Sequence, residues 1–549
     1  MPKDYSFLKR FFSVLFTDRD IVDSGMNSTA PEPSIEPFGD QLLGISHPRD
    51  WDTPEDTLST TTAQDNTQKT EEIPVQTPQK AEKPKKLRDF LIEKGNFWEE
   101  PSPSVAPTTQ PEQKGPEIKK ENVSKNLNSD SALFLGNTLE QESVQVTTEN
   151  LKRHMLVVGM TGSGKTTMLE RMILQDIDAG RGIGLIDPHG DLYDKILNQI
   201  PKSRSNDVVL FDLTDIEYPI GFNILENTHH QFPSLIASSI VGVFKKIFGY
   251  SWGPRLEYIL RNATLTLLEH DGSTLLDLTL LLTDEDYRRT YLGNIKNPFL
   301  KKFWADEFDS LSTTKQSEVV SPILNKVGQF LSVPLIRNIV SQPQSGFSPR
   351  WIMDNKKIFL ANLSKGKIGE DVSEMLGSLL VSKFQLDVMS RASIEPEKRE
   401  PFRLYVDEFQ NFATDSFSDI FSEARKYGLS LVIAHQYMNQ VSTQLMDAIL
   451  GNVGNMAVFH IGSSDAKLLA PNIDSSLAPQ TLVEQPLYNF VLKTTHNGHK
   501  KISQGELLAP ENIPTRSGLQ NPEKLQTLVR EKFAKDRKFV EGKLNVKMS

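Results

Sequence analysis

From about residue 131 onward, short β-branched and apolar runs alternate with stretches whose apolar positions recur at helical spacing. That alternation predicts an open, mostly parallel sheet covered by helices. Seven runs read as strands: MLVVG (155–159), GIGLID (182–187), VVLFDL (208–213), KIFLANL (357–363), RLYVD (403–407), LSLVIA (429–434) and MAVFHIG (456–462). Between the third and fourth runs the alternation breaks. Residues 235–340 read as helix after helix, SLIASSIVGVFKKIF and PRLEYILRNATLTLLEH among them, which predicts an all-α unit inserted between two strands. Residues 516–549 carry the pattern of a polar helical tail.

The amino-terminal quarter follows different rules. Residues 27–130 are dominated by Pro, Thr, Ser, Gln, Glu and Lys, and 14 of the 32 prolines fall in the first 130 residues. Such text buries too little apolar surface to offset the entropy of ordering, so a disordered tether is expected there. One island, LRDFLIEKGNFW at 87–98, is rich enough in large apolar groups to read either as a nascent helix or as a docking motif. At the start of the chain, residues 5–17 (YSFLKRFFSVLFT) gather their apolar side chains on one broad helical arc and Ser6, Lys9, Arg10, Ser13 and Thr17 on the other. This is the pattern of an interfacial helix on a membrane surface, and equally of a helix docked on a partner or on the protein's own core.

These patterns divide the chain into an amphipathic segment (1–26), a disordered linker (27–130), a first sheet part (131–228), an all-α insertion (229–350), a second sheet part (351–515) and the tail (516–549). Composition narrows the function. The absence of cysteine excludes disulfides, thiolate zinc sites, iron–sulfur clusters and thiol catalysis. A net charge of −10 removes any global attraction to nucleic acid, so a DNA contact has to be local. No apolar run reaches the roughly 18 residues that span a bilayer, and export is not expected. The expected location is cytoplasmic, or peripheral at the inner face of the membrane through residues 5–17.

The most specific chemistry follows the first strand. Gly159, Met160, Thr161, Gly162, Ser163, Gly164, Lys165 and Thr166 fit G-x-x-x-x-G-K-[ST] and open the helix that begins TTMLERM at Thr166 and Thr167. Glycines let backbone N–H groups wrap phosphates, Lys165 reaches the β and γ oxygens of ATP, and the Thr166 hydroxyl suits Mg²⁺. A P-loop needs a carboxylate on a neighbouring strand, and the acidic pair ending RLYVDEF supplies it: Asp407 for Mg²⁺ and Glu408 to deprotonate the attacking water. Gln436, at the end of LVIAHQ, is a candidate γ-phosphate sensor. His435 beside it reads as structural. Arg425 in SEARKYG is read either as an arginine finger acting on a neighbouring subunit or as a cation favoured at a helix end. Lys365 and Lys367 in LSKGKIGE are candidates for phosphate or DNA contact.

Together GMTGSGKTT, IDPHGDL, GFNIL, SWGPRLEYILRNA, IFLANLSKGKIGE, LYVDEFQNF with AHQ downstream, and GNVGNMAVFHIG resemble the HerA/FtsK superfamily of ring-forming DNA-pumping ATPases. Within it the sequence is most similar to TraG/TraD-like coupling proteins of conjugation and type IV secretion and to HerA-like helicases. The resemblance covers about residues 132–510. It implies an α/β fold, a RecA-like P-loop sheet with the inserted all-α domain, behind the long disordered N-terminal region. It also implies ATP and Mg²⁺ as cofactors, a homo-oligomer that is a hexamer, DNA in a central pore, and a trans arginine. The motif DPHGDL brings Asp187, His189 and Asp191 near the nucleotide in this family; from the residues alone Asp191 reads as a helix cap. Two departures stand out: His460 replaces an arginine common in relatives, and the expected transmembrane helices are absent. The implied function is an ATP-driven DNA translocase. A secretion-assembly ATPase moving protein and a nucleotide-gated scaffold recruiting substrates to a membrane machine remain as alternatives.

Overall fold

The computed structural model describes residues 132–548 except 227–232, 415–416, 497–498 and 509–515. The interfacial segment at 5–17 and the island at 87–98 lie outside the described residues. Eleven strands follow in chain order: β1 Ala132–Asn137, β2 Ser143–Thr147, β3 Met155–Val158, β4 Gly182–Asp187, β5 Val208–Asp212, β6 Ile358–Asn362, β7 Phe402–Val406, β8 Leu429–His435, β9 Asn455–Val458, β10 Asn489–His496 and β11 His499–Glu506. They form one sheet in the order β2-β1-β11-β10-β9-β3-β8-β7-β4-β6-β5.

The seven strands from β9 to β5 are parallel and are the seven runs expected from the sequence. They read as continuous apolar text because both faces are covered: β3, β4, β6, β7, β8 and β9 are buried along their whole length. The four flanking strands are antiparallel and were not expected. For two of them the sequence explains this. β11 is HKKISQGE, almost entirely exposed, and β2 alternates exposed and buried positions over only five residues, so neither offers an apolar run.

Two apolar cores lie on the two faces. One packs the helices Lys165–Asp178 and Asp191–Leu197 against the sheet. The other joins the opposite face to the long helix Glu370–Met389 and to the inserted helices, which run from Pro233–Ile247 to Pro349–Asp354 between β5 and β6. The insertion therefore shares its core with the sheet. Among its buried groups are Trp304, whose indole N–H donates to Thr266 Oγ1 at 2.8 Å, and Phe244, Phe303 and Phe308.

The polar tail is docked on both. Helix Pro522–Phe533 buries Leu525 and Val529 in the first core, with Arg530 paired to Asp215 at 2.7 Å. Helix Arg537–Met548 buries Val540 and Leu544 in the second, where Lys547 meets Asp277 at 2.7 Å. Its two small apolar stripes are the reason it reads as polar in sequence.

Among the described residues, no single helix is long and apolar enough to cross a membrane.

Candidate functional site

The turn after β3 has the geometry a phosphate cradle needs. Gly159 has no room for a side chain, since a Cβ there would lie 2.5 Å from Ser163 Oγ and 2.7 Å from Phe459 Cβ. Gly164 caps the helix Lys165–Asp178 with φ at 118°, a conformation L side chains rarely adopt. The Lys165 ammonium folds back onto the loop, donating to the carbonyls of Gly159 at 2.6 Å and Met160 at 3.3 Å. The loop is tied to both neighbouring strands: Gly159 N–H donates to His435 O, and Met160 N–H to His460 O. Ser163 Oγ is buried without a partner among the described residues.

Asp407 and Glu408 follow β7. One strand, β8, stands between β7 and the P-loop strand β3, whereas direct adjacency was expected. The interposed strand carries Gln436 into the gap. Gln436 Nε2 donates to Glu408 Oε1 at 2.6 Å, and the Thr161 hydroxyl of the P-loop donates to Gln436 Oε1 at 3.2 Å. On its other side Glu408 Oε2 accepts from Gln410 Nε2 at 2.6 Å. Glu408 sits in the left-handed region at φ 45°, a strained conformation for a side chain of this kind. Gln410 was passed over in the sequence, although its place two residues beyond Glu408 was a signal.

Electrostatics draws these groups together. Burial lowers the Lys165 ammonium, and the nearby Glu408 and Asp407 carboxylates oppose that. Asp407 is pushed up to about 7, chiefly by burial and then by Asp187 and Glu408, with Lys165 pulling it down. An acid held this far above its usual range is primed to gain a cation.

Asp187, at the end of β4, is fully buried, and its two oxygens accept from the backbone N–H groups of His189 and Tyr193, both at 2.9 Å. It is thus Asp187 that satisfies the opening of helix Asp191–Leu197, not Asp191, which is its first residue. Lys365 and Lys367 follow β6 in the short helix Lys365–Ile368, whose entry is tied to this loop by Ser364 Oγ donating to His189 O at 2.9 Å. His435 is buried with neither ring nitrogen partnered among the described residues, so it does not satisfy a backbone group as expected of a structural histidine. Its ring meets that of Phe409 edge-on at 5.6 Å.

Arg425 is not with the other candidates. It lies exposed in the turn Ala424–Tyr427, at the amino end of β8, and lines a cavity of about 350 Å³ with Lys152, Lys398 and Lys426. The P-loop stands at the carboxyl ends of the same parallel strands.

The residues present fit a nucleotide with its magnesium ion. A left-handed glycine turn opens a helix, a buried ammonium points into the turn, and a hydroxyl (Thr166) and a buried carboxylate (Asp407) offer hard oxygen donors. Among the described residues no three His, Asp or Glu side chains converge as a metal-holding set.

A parallel sheet with this loop and this acidic strand defines a P-loop nucleotide-binding protein. The kinship is narrower. Residues 133–267 match the family model described as the central domain of helicase HerA, and residues 401–470 match that of the TraM recognition site of TraD and TraG. The type 4 coupling protein DotL of Legionella pneumophila is 22% identical over 382 residues, which cover 58% of this chain and 48% of that protein. The chain thus spans about half the length of this curated relative. Among solved structures, the plasmid coupling protein TrwB in complex with the non-hydrolysable ATP analogue ADPNP is 17% identical, with a TM-score of 0.50 over 72% of this chain and 92% of TrwB. Over these segments the chain is similar to the HerA central domain and to TraG/TraD-like coupling proteins, and it shares the TrwB fold.

Proposed function

We propose that this chain hydrolyses ATP in a ring of like subunits, a hexamer, to drive DNA through a central pore, as a coupling-protein-like or HerA-like motor. The observation that carries the reading is the continuous path from the P-loop to the acidic strand: Thr161, Gln436 and Glu408 are joined by hydrogen bonds of 3.2 and 2.6 Å beside Lys165. A protein that only bound nucleotide would not need a carboxylate held in a strained conformation and tied to the phosphate loop.

In this mechanism the amides of residues 159–164 and the Lys165 ammonium hold the phosphates, and Thr166 and Asp407 hold Mg²⁺. Held there, the ion would supply neutralisation of phosphate charge. Glu408 takes the proton of the attacking water. Gln436 orients Glu408 and senses, through Thr161, whether the loop is filled. Arg425, remote from its own P-loop, acts on the nucleotide of a neighbouring subunit. Residues 5–17 tie the motor to the inner face of the membrane or to secretion machinery.

ATP turnover measured with and without single- and double-stranded DNA at about 50 and 200 mM salt tests the reading, because phosphate contacts by basic side chains weaken steeply with salt. Stimulation by DNA that fades with salt is expected. Turnover indifferent to every DNA form would replace DNA by protein as the cargo, and no turnover at all would leave the nucleotide-gated scaffold.

A further inference from the structure

Lys246 belongs to the inserted helix Pro233–Ile247, yet its ammonium donates to two carbonyls of the catalytic loop, Gln410 O at 3.3 Å and Asn411 O at closer range. Those carbonyls end the short turn Phe409–Asn411, which follows Glu408 directly. Carbonyls at such an end have no partner within the turn, and a cation is the natural group to satisfy them. The turn is closed on itself by Asn411 N–H donating to Glu408 O at 2.9 Å, and the Gln410 side chain holds Glu408 Oε2 at 2.6 Å. The unbroken chain is therefore inserted helix, Lys246, turn, Gln410, Glu408.

We propose that Lys246 is a positioning residue for Glu408, by which the placement of the inserted helices sets the orientation of the water-activating carboxylate. The inference rests on the ATPase reading above and deepens it. Three further observations support it. Burial lowers the Lys246 ammonium only to about 8, against the pull of Glu374 on the helix Glu370–Met389, so it stays charged near neutrality. Gln410 Oε1 is buried and has no partner among the described residues, so the Gln410 side chain is held by Glu408 alone while its backbone is held by Lys246. Finally, Lys246, Gln410 and Thr414 line one cavity of about 1040 Å³ between the inserted helices and this loop, so the contact lies at the seam where the insertion meets the loop.

Lys246→Met keeps the length and apolar stem and removes the charge. The expected result is a fall of roughly ten- to a hundredfold in kcat, the cost of a misplaced catalytic group, with the Kd for ATP within about twofold of wild type. Lys246→Arg should recover part of the loss. Combined with Gln410→Ala, the second substitution should add little, because both act through one chain. Hydrogen–deuterium exchange of residues 408–413 in the nucleotide-free protein gives a reading independent of turnover: Lys246→Met should exchange faster there and unchanged in the helix Lys165–Asp178. Unaltered kcat, fully additive losses, or exchange raised equally everywhere would overturn the proposal. If wild type itself fails to hydrolyse ATP, the ATPase reading falls, while exchange confined to residues 408–413 still upholds the contact and its absence removes it.

Discussion

Gln436 Nε2 stands 2.6 Å from Glu408 Oε1, and the same amide accepts from Thr161 at 3.2 Å, so one side chain touches both the base and the phosphate loop. The arrangement exists because β8 lies between β3 and β7. Gln436→Ala frees Glu408 Oε1 and cuts the link to the P-loop without touching Lys165. Turnover should fall about ten- to a hundredfold, an effect of orientation, with nucleotide affinity preserved. Steady-state kinetics beside a fluorescent-nucleotide titration checks this; a matching loss of affinity would assign Gln436 to binding instead.

Glu408→Gln leaves the whole cradle in place and removes the proton acceptor. General-base catalysis is worth roughly 10²- to 10⁴-fold, so turnover should drop by that order while ATP still binds. Lys165→Ala should lose both, since its ammonium is the cation seated in the loop. Rapid hydrolysis by the Glu408→Gln protein would take this carboxylate out of the mechanism.

Arg425 can serve the reaction only from outside its own site, because it sits at the amino end of β8 while the P-loop stands at the carboxyl ends of the strands. Mixing is the direct test. Subunits with Lys165→Ala retain Arg425, and subunits with Arg425→Ala retain an intact P-loop, so mixed rings should hydrolyse ATP when neither parent does. Activity that never exceeds the sum of the parents would return Arg425 to a cation at the end of a turn.

The sequence was legible where burial is two-sided. All seven parallel strands appear as apolar runs, and the P-loop, Asp407 and Glu408 fall at their ends because a chain leaving a buried strand must turn at once toward solvent. β11 and β2 were not legible, since half-exposed antiparallel strands mix Lys, Gln and Ser into the pattern, whereas β1 and β10 carry short buried apolar runs, ALFL and FVL, that were passed over. Strand order was hidden as well, which is why Asp407 was expected beside β3. Lys246 could not have been found from spacing: 162 residues separate it from Glu408 in number, and only the packing of the insertion against the loop joins them. Asp191 and Asp187 show a subtler limit, for both stand at the opening of the same helix and only geometry reveals which one accepts its amides.

Two buried histidines make the fold sensitive to acid. His154 accepts from Leu431 N–H through Nδ1 at 2.9 Å and donates from Nε2 to Phe421 O at 3.0 Å. Burial lowers it from 6.5 to about 4, and His435, buried near the Lys165 ammonium, is lowered to about 3. Each folded pKa lies below the unfolded one, so between pH 6.5 and 4 the unfolded chain takes up protons that the folded chain refuses. Stability from each is complete above pH 6.5 and is lost as pH falls, by about 2 kcal/mol each at pH 5. Asp407 works the other way, because a carboxyl held at about 7 favours the folded state as pH falls. The histidine contribution is therefore read as a difference between proteins. His435→Leu removes a group with no hydrogen-bond partner among the described residues, so it should cost little at pH 7 and should flatten the loss between pH 7 and 5 by about 2 kcal/mol. Urea unfolding of both proteins at the two pH values measures it, and identical pH slopes would mean that His435 is protonated in the folded state.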